Sequence, residues 1–385
     1  MTLKVFISYS KEDRSFALDY FAKISTEGAS PWMDDQKLLP GQRWEFEIDR
    51  ALKDANLIVL LLSPRSVNKR GFVQREAQDA IEQLRYKKED DIYILPLVIE
   101  PCEVPSFISG KLQYIEMTSP DAWGRVQQAL ALAAEQQQIE LQRGSVAGLL
   151  RVFPEKLADE RPGFPGYEVT IEYPRFASVQ VPAAAQELSM FFAGRAAKSL
   201  IGWRGKPWEQ NAGLFPYEEE FPPSNTLWEG FGIAHSTEKI LSLTCNTSYF
   251  YAGAAHGNSG FETFTFALED SVRQLDLQDF FADPDGALQV ISKVCIGALC
   301  REFWERIGEK PDQGQLDWFT SGAGPEWGNF HAFNVNPDGF TFLFPPYQVS
   351  AYAFGTWSAD VAFYDLLDYL RPNGPHSLAR AQQAT

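Results

Sequence analysis

The sequence predicts two folds in succession: a flavodoxin-like α/β domain with a five-stranded parallel sheet over residues 1–135, and an α+β domain over residues 166–372. Three observations carry this reading. The run Leu57-Ile-Val-Leu-Leu-Leu62 is apolar at every position and of strand length, as a central parallel strand covered on both faces requires. Strand-like and helix-like periods alternate up to residue 135, which is the pattern of a parallel sheet with helices on both sides. Beyond residue 166 the chain turns aromatic-rich, and strands and helices follow one another without alternation.

Residues 3–8 alternate apolar and small side chains and open the sheet. Asp13 closes the polar turn Tyr9-Ser-Lys-Glu-Asp13 and is placed to cap the next helix, in which Phe16, Tyr20, Phe21 and Ile24 recur at helical spacing before Gly28 ends it. A short strand at 31–33 leads into a loop at 34–41 whose last residues are turn formers. A helix over 44–54 follows, with Trp44, Ile48 and Leu52 on one face. After the central strand come a helix carrying Phe72 and Glu76, a strand at 92–99, a short strand at 112–115 and an Ala/Leu-rich helix at 121–135. Residues 136–165, with Gln136-Gln-Gln138 and a charged, Pro-containing stretch, read as a linker with a short helix at 146–152. Strands are expected at 167–173, 241–251 and 261–267, and helices at 183–200, 288–307 and 358–370. The polar tail at 373–385 is expected to be disordered.

Composition narrows the function. At 385 residues, two or three domains are the natural expectation. A net charge of −17, with most of the excess acid beyond residue 135, argues against a nucleic-acid partner or an anionic membrane surface, because both need a basic footprint. No apolar run approaches the ~20 residues of a bilayer-spanning helix. The N-terminus reads as strand at once rather than as a charged-then-apolar leader, so a cytoplasmic location is expected. Four cysteines (Cys102, Cys245, Cys295, Cys300) in so long a chain fit free thiols in a reducing compartment, with Cys295 and Cys300 as small buried apolar residues. His256, in Gly253-Ala-Ala-His-Gly-Asn258, fits a structural hydrogen bond better than a metal ligand, and no metal is expected.

The loop from Ser63 to Glu76 is the natural site. Position 63 is the carboxyl end of a central strand, and ligands of open α/β sheets settle just outside such ends. Phe72 and Glu76 stand four apart and share a helix face, setting an aromatic plane beside a carboxylate, a pair that suits a flat ring and a sugar. On residue types alone Phe72 fits a core anchor, and Glu76 a solvated charge, better than they fit a ligand site.

Phe6-Ile-Ser-Tyr-Ser10, Trp32-Met-Asp34, Leu39-Pro-Gly41 with Trp44, Leu62-Ser63 and Lys69-Arg-Gly-Phe-Val-Gln-Arg-Glu76, falling in order, resemble a bacterial TIR domain over residues 1–135, and Ile99-Glu-Pro-Cys-Glu-Val-Pro105 resembles the segment after its fourth strand. The resemblance implies cleavage of NAD+, as substrate rather than cofactor, at the nicotinamide–ribose bond. It places Glu76 at the catalytic glutamate, Phe72 where relatives carry Trp, and Trp32 at an aromatic position of the pocket. Tyr9, Ser10 and Ser63 at strand carboxyl ends are candidates for ribose or phosphate, and Lys37 and Arg43 for the pyrophosphate. It also implies self-association: the loop over residues 34–43 would enter a neighbouring TIR domain, and head-to-tail contacts of that kind can propagate as filaments. The alternative is a non-catalytic adaptor that assembles with other TIR domains.

Gly253-Ala-Ala-His-Gly-Asn258, Leu275-Asp-Leu-Gln-Asp-Phe-Phe281 and Phe340-Thr-Phe-Leu-Phe-Pro-Pro-Tyr-Gln-Val-Ser-Ala-Tyr-Ala-Phe-Gly355 resemble the RsiV-like ectodomain of lysozyme-sensing anti-sigma factors. A recognition domain for a protein, peptide or glycan is what that resemblance implies. With the TIR resemblance it suggests a sensor-effector acting in antiphage defence.

Overall fold

The first sheet is built on β3 (Leu57–Leu62), buried at every residue. The structure, a computed structural model, describes residues 2–34, 44–68, 92–139, 141, 144–206, 209–214, 224–269 and 271–380. The chain divides into two compact units, one of Met1–Ser145 with Ala177–Pro182 and one made of the remainder.

In the first unit β1 (Lys4–Ser8), β2 (Ser30–Trp32), β3, β4 (Ile94–Val98) and β5 (Ile115–Glu116) form a sheet in the order β2-β1-β3-β4-β5. All four pairings are parallel, which is the flavodoxin-like order expected. The unbroken apolar run is explained by two cores. Leu57, Val59 and Leu61 join Val5, Ile7, Leu95 and Leu97 beneath α1 (Arg14–Thr26) and the Ala122–Gln136 helix. Ile58, Leu60 and Leu62 join Phe6, Ile94 and Val98 beneath Ile48 and Leu52 of α2 (Trp44–Asp54). With a side-chain period of two, both sets must be apolar. Gly28 follows α1 with φ +85°, a left-handed stop that glycine takes without a Cβ clash. The last strand falls at Ile115–Glu116, later than the predicted 112–115, because Ile115 and Glu116 are the residues that pair with Leu97 and Val98 of β4, while Leu112 and Tyr114 only pack against the core.

The second unit holds a seven-stranded sheet in the order β12-β11-β10-β9-β8-β7-β6. Its strands are β6 (Ser145–Ala147), β7 (Leu150–Arg161), β8 (Gly166–Ala177), β9 (Ser224–Ser236), β10 (Ile240–Phe250), β11 (Asn258–Leu268) and β12 (Val272–Gln274). β8 and β9 are parallel, joined across the sheet by the helix Pro182–Trp203, whereas β9 to β12 form an antiparallel meander. A three-stranded antiparallel sheet of β13 (Phe333–Val335), β14 (Gly339–Phe344) and β15 (Trp357–Ala362) packs with the helices Pro284–Ile307 and Gln313–Ala323. Their shared core is dominated by aromatic rings, among them Phe280, Phe281, Phe319, Phe330, Phe340, Phe342, Phe344 and Trp357.

Three expectations are corrected. The stretch predicted as a linker with a helix at 146–152 contains β6 and β7: Leu150, Val152 and Phe153 are buried, while Glu155 and Asp159 reach Arg175 and Arg204 through ion pairs of 2.8 and 2.9 Å. Residues 358–370 are not one helix, because Trp357, Ala359 and Val361 are buried and alternate with exposed Ser358 and Asp360 before a 3-10 turn at Phe363–Leu366. The expected disordered tail has a helical turn at His376–Ala379, with Ala379 buried and the Thr237 hydroxyl donating to the Leu378 carbonyl at 3.0 Å.

Among the described residues no helix is long and apolar enough to cross a membrane. Cys245 and Cys295 are buried and Cys102 and Cys300 half-buried, all four as free thiols. Burial raises each thiol above its ordinary value, that of Cys245 to about 12. His256 is exposed; its Nδ1 lies 2.8 Å from the Gly257 carbonyl, and its ring stacks on Tyr352 at 3.9 Å.

Candidate functional site

In a 2-1-3-4-5 sheet the strand order reverses between β1 and β3, and the crevice for a ligand opens outside their carboxyl ends. Tyr9 and Ser10 follow β1, and Ser63 follows β3. The sequence builds a sharp turn at the second end. Ser63 precedes the short helix Pro64–Asn68, with Pro64 at the first helical position, and its Oγ accepts the N–H groups of Arg65 and Ser66 at 3.1 and 3.2 Å. The Ser63 hydroxyl then donates to Asp13 Oδ2 at 2.6 Å.

Asp13 is fully buried and stands at the head of α1, yet its carboxylate caps no helical N–H. It turns toward Ser63 and Arg65, whose Nε donates to Asp13 Oδ1 at 2.6 Å. The Arg65 Nη2 donates to Glu100 Oε2 at 2.5 Å, so one guanidinium joins the ends of β1, β3 and β4. A buried carboxylate needs such a partner, because desolvation without one is costly. The Asp13 hydrogen bond is the main reason the Arg65 guanidinium titrates above its ordinary value. The Cys102 thiol is raised by burial first and by the Asp13 charge second.

The other predicted residues fall into two groups. Tyr9 donates to Asp34 Oδ1 at 2.6 Å and packs with the core beneath α1. Ser10, buried, donates to Glu12 Oε2 at 2.5 Å. Trp32 lies with the opposite core, stacked on Phe6 with ring centroids 5.1 Å apart and planes within 14°. Ser63 and Asp13 are thus brought together, whereas Tyr9 and Trp32 pack with different faces of the sheet. The Ser63 hydroxyl, donating once and accepting twice, is committed to the protein and shapes the loop instead of offering itself to a ligand. Lys37, Arg43, Phe72 and Glu76 lie outside the described residues.

Glu12, Asp13, Asp34 and Glu100 each accept a hydrogen bond from a neighbour at these strand ends. The described residues therefore make a polar, internally hydrogen-bonded set of strand ends that is rich in carboxylates, with Arg65 as the cation that pairs Asp13 and Glu100. Sequence reasoning missed Arg65 and Glu100 and gave Asp13 only a capping role. The available signal was an acid after β1, a base after β3 and an acid after β4, all at carboxyl ends of neighbouring strands.

Residues 5–130 match the family model described as TIR domain. Residues 5–130 form a TIR domain. Residues 278–364 match the model described as Protein of unknown function (DUF3298), the RsiV-like ectodomain family. No curated protein matches the chain. Among solved structures, a DUF3298 family member from Bacteroides fragilis is 14% identical, covers 62% of this chain and 100% of its own, and has a TM-score of 0.43. The TIR domain of the Toll-related receptor TRR-2 from Hydra magnipapillata is 20% identical, covers 33% and 97%, and has a TM-score of 0.29. A DUF3298 family protein from Pseudomonas aeruginosa is 15% identical, covers 58% and 95%, and has a TM-score of 0.33. The crevice between β1 and β3, with Asp13, Ser63 and Arg65, belongs to the TIR domain; the aromatic core around Phe340 belongs to the DUF3298 match.

Proposed function

We propose that the TIR domain hydrolyses NAD+ at the nicotinamide–ribose bond, with Glu76 as the catalytic carboxylate, and that recognition of a ligand by the C-terminal unit drives the assembly that activates it. The observation that carries this reading is the strand order, which sets Tyr9, Ser10 and the Ser63 turn around one topological switch point, where α/β sheets take nucleotides. Glu76 follows on the same connection in sequence, thirteen residues after Ser63.

The reaction asks little of the protein. The C1′–N bond breaks with its electron pair passing to the nicotinamide ring nitrogen, which leaves neutral and needs no general acid. Water adds to C1′ and releases a proton. A carboxylate facing the oxocarbenium-like transition state supplies most of the stabilisation when solvent is kept away. Phe72 and Trp32 would contact the rings, Tyr9 and Ser10 the ribose, and Lys37 and Arg43 the pyrophosphate, while Asp13, Ser63 and Arg65 hold the loops. Assembly of TIR domains through the 34–43 loop would complete the pocket, and depletion of NAD+ in an infected cell would give the protein an antiphage role.

The test incubates the purified chain with NAD+, with and without a crowding agent, and follows free nicotinamide for the wild type and Glu76→Ala. Release by the wild type under assembling conditions, absent from the variant, is expected. Equal signals from both proteins in both conditions would leave the adaptor as the role of the TIR domain.

A further inference from the structure

Helix α3, here the Pro182–Trp203 crossover, lies over one face of β9, β10 and β11 and changes chemistry along its length. At its middle Phe191 and Phe192 meet Phe264 and Phe266 edge-on, as a helix on a sheet normally does. One turn later the contact becomes ionic. Arg195 donates through Nη1 to Glu229 Oε2 at 2.7 Å and through Nε to Glu262 Oε2 at 2.5 Å, and the Ser199 hydroxyl donates to Glu229 Oε1 at 2.6 Å. Glu229 is only 4% exposed. An apolar residue would serve the packing at less cost than a buried carboxylate, so the floor is polar for another reason.

That floor closes an open cleft of 630 Å³, within the roughly 300–1,000 Å³ usual for small-ligand sites. Thr247, the direct cross-strand partner of Glu229, lines it, as do Lys198, Asn225, Trp203 and Tyr251. The Trp203 and Tyr251 rings stack at 5.0 Å with planes within 13°, and Tyr251 is 53% exposed. The lining residues, Arg195 to Glu262 in the second unit, lie outside both sequence stretches that match family models.

Its charges select the ligand. Arg195 is held by Glu229 and Glu262, Arg204 by Asp159 at 2.9 Å and Lys206 by Glu209 at 2.9 Å. Lys198 alone among the lining cations has no carboxylate partner among the described residues, and an anion seeking more than that one charge would have to displace those carboxylates. A neutral polyol can instead donate to them and accept from the cations, from the Asn225 amide, whose Oδ1 already accepts the Ala252 N–H, and from Thr247. The aromatic plane suits the C–H face of a sugar ring. We infer that this cleft binds a neutral oligosaccharide of two or three sugar units, laid against the outer face of Tyr251, which Trp203 backs, with its hydroxyls over Glu229, Thr247 and Glu262.

The full chain is applied to an array of neutral and acidic glycans, with ADP as a separate anionic probe. The strongest binder is titrated by calorimetry against the wild type, Tyr251→Ala, Thr247→Val and Lys198→Ala. Selective capture of neutral glycans is expected, weakened about tenfold or more by Tyr251→Ala with an unchanged melting temperature, and little altered by Lys198→Ala. Binding is also expected in Glu76→Ala, so this result stands or falls apart from nucleotide hydrolysis. The inference is overturned if no neutral glycan binds, if ADP or acidic glycans bind and Lys198→Ala abolishes it, or if Tyr251→Ala and Thr247→Val both leave affinity unchanged.

Discussion

Arg65 bridges two carboxylates that come from different loops, and one of them, Asp13, has no contact with solvent. Removing the base leaves Asp13 with the Ser63 hydroxyl alone, and breaking a pair of this kind is more damaging than never having built it. Arg65→Gln should therefore lower the melting temperature of the TIR domain by several degrees, and adding Asp13→Asn should restore part of the loss; a double-mutant cycle measures the coupling. His376 gives a pH-dependent counterpart in the second unit. Its Nδ1 is buried without a hydrogen-bond partner among the described residues, and burial first and Arg380 second hold the imidazole below the ordinary 6.5. The unfolded chain then takes up a proton near 6.5 that the folded chain resists. Stability should fall as pH drops through that value toward the lowered folded one and then level off. Urea midpoints from about pH 7.5 to about pH 5 should show this slope in the wild type and lose it in His376→Gln.

At the level of elements, β3 was legible because burial on both faces leaves no room for a polar residue, and Leu60→Ala should cost about 3 kcal/mol in chemical denaturation. β7 was illegible for the opposite reason. Leu150, Val152 and Phe153 are its buried residues and Leu157 packs half-buried against a separate apolar cluster, while Glu155 and Asp159 find their partners, Arg175 and Arg204, outside the strand. β15 was misread because Ala359, Phe363, Leu366 and Leu370 also fall at helical spacing, although the strict burial alternation from Trp357 to Val361 is that of a strand. The site was half legible in the same sense. Carboxyl ends of strands could be located from the apolar runs, but which acid meets which base depends on strand order, and Asp13 and Arg65 are far apart in sequence.

For the molecule as a whole, the seven-stranded sheet sets where the second unit can be cut. A fragment of residues 146–385 keeps β7 beside β8, whereas one starting at 166 bares the β8 edge and removes Phe153 from the core. The longer fragment should elute as a single species with a cooperative melt, and the shorter one should aggregate, as size-exclusion chromatography will reveal. The four thiols carry a last consequence. Since the medium around each of Cys102, Cys245, Cys295 and Cys300 disfavours the thiolate, the nucleophilic form is scarce at neutral pH. Peroxide and mild alkylating reagents should pass the folded chain by, and an oxidative burst would be a poor trigger for it.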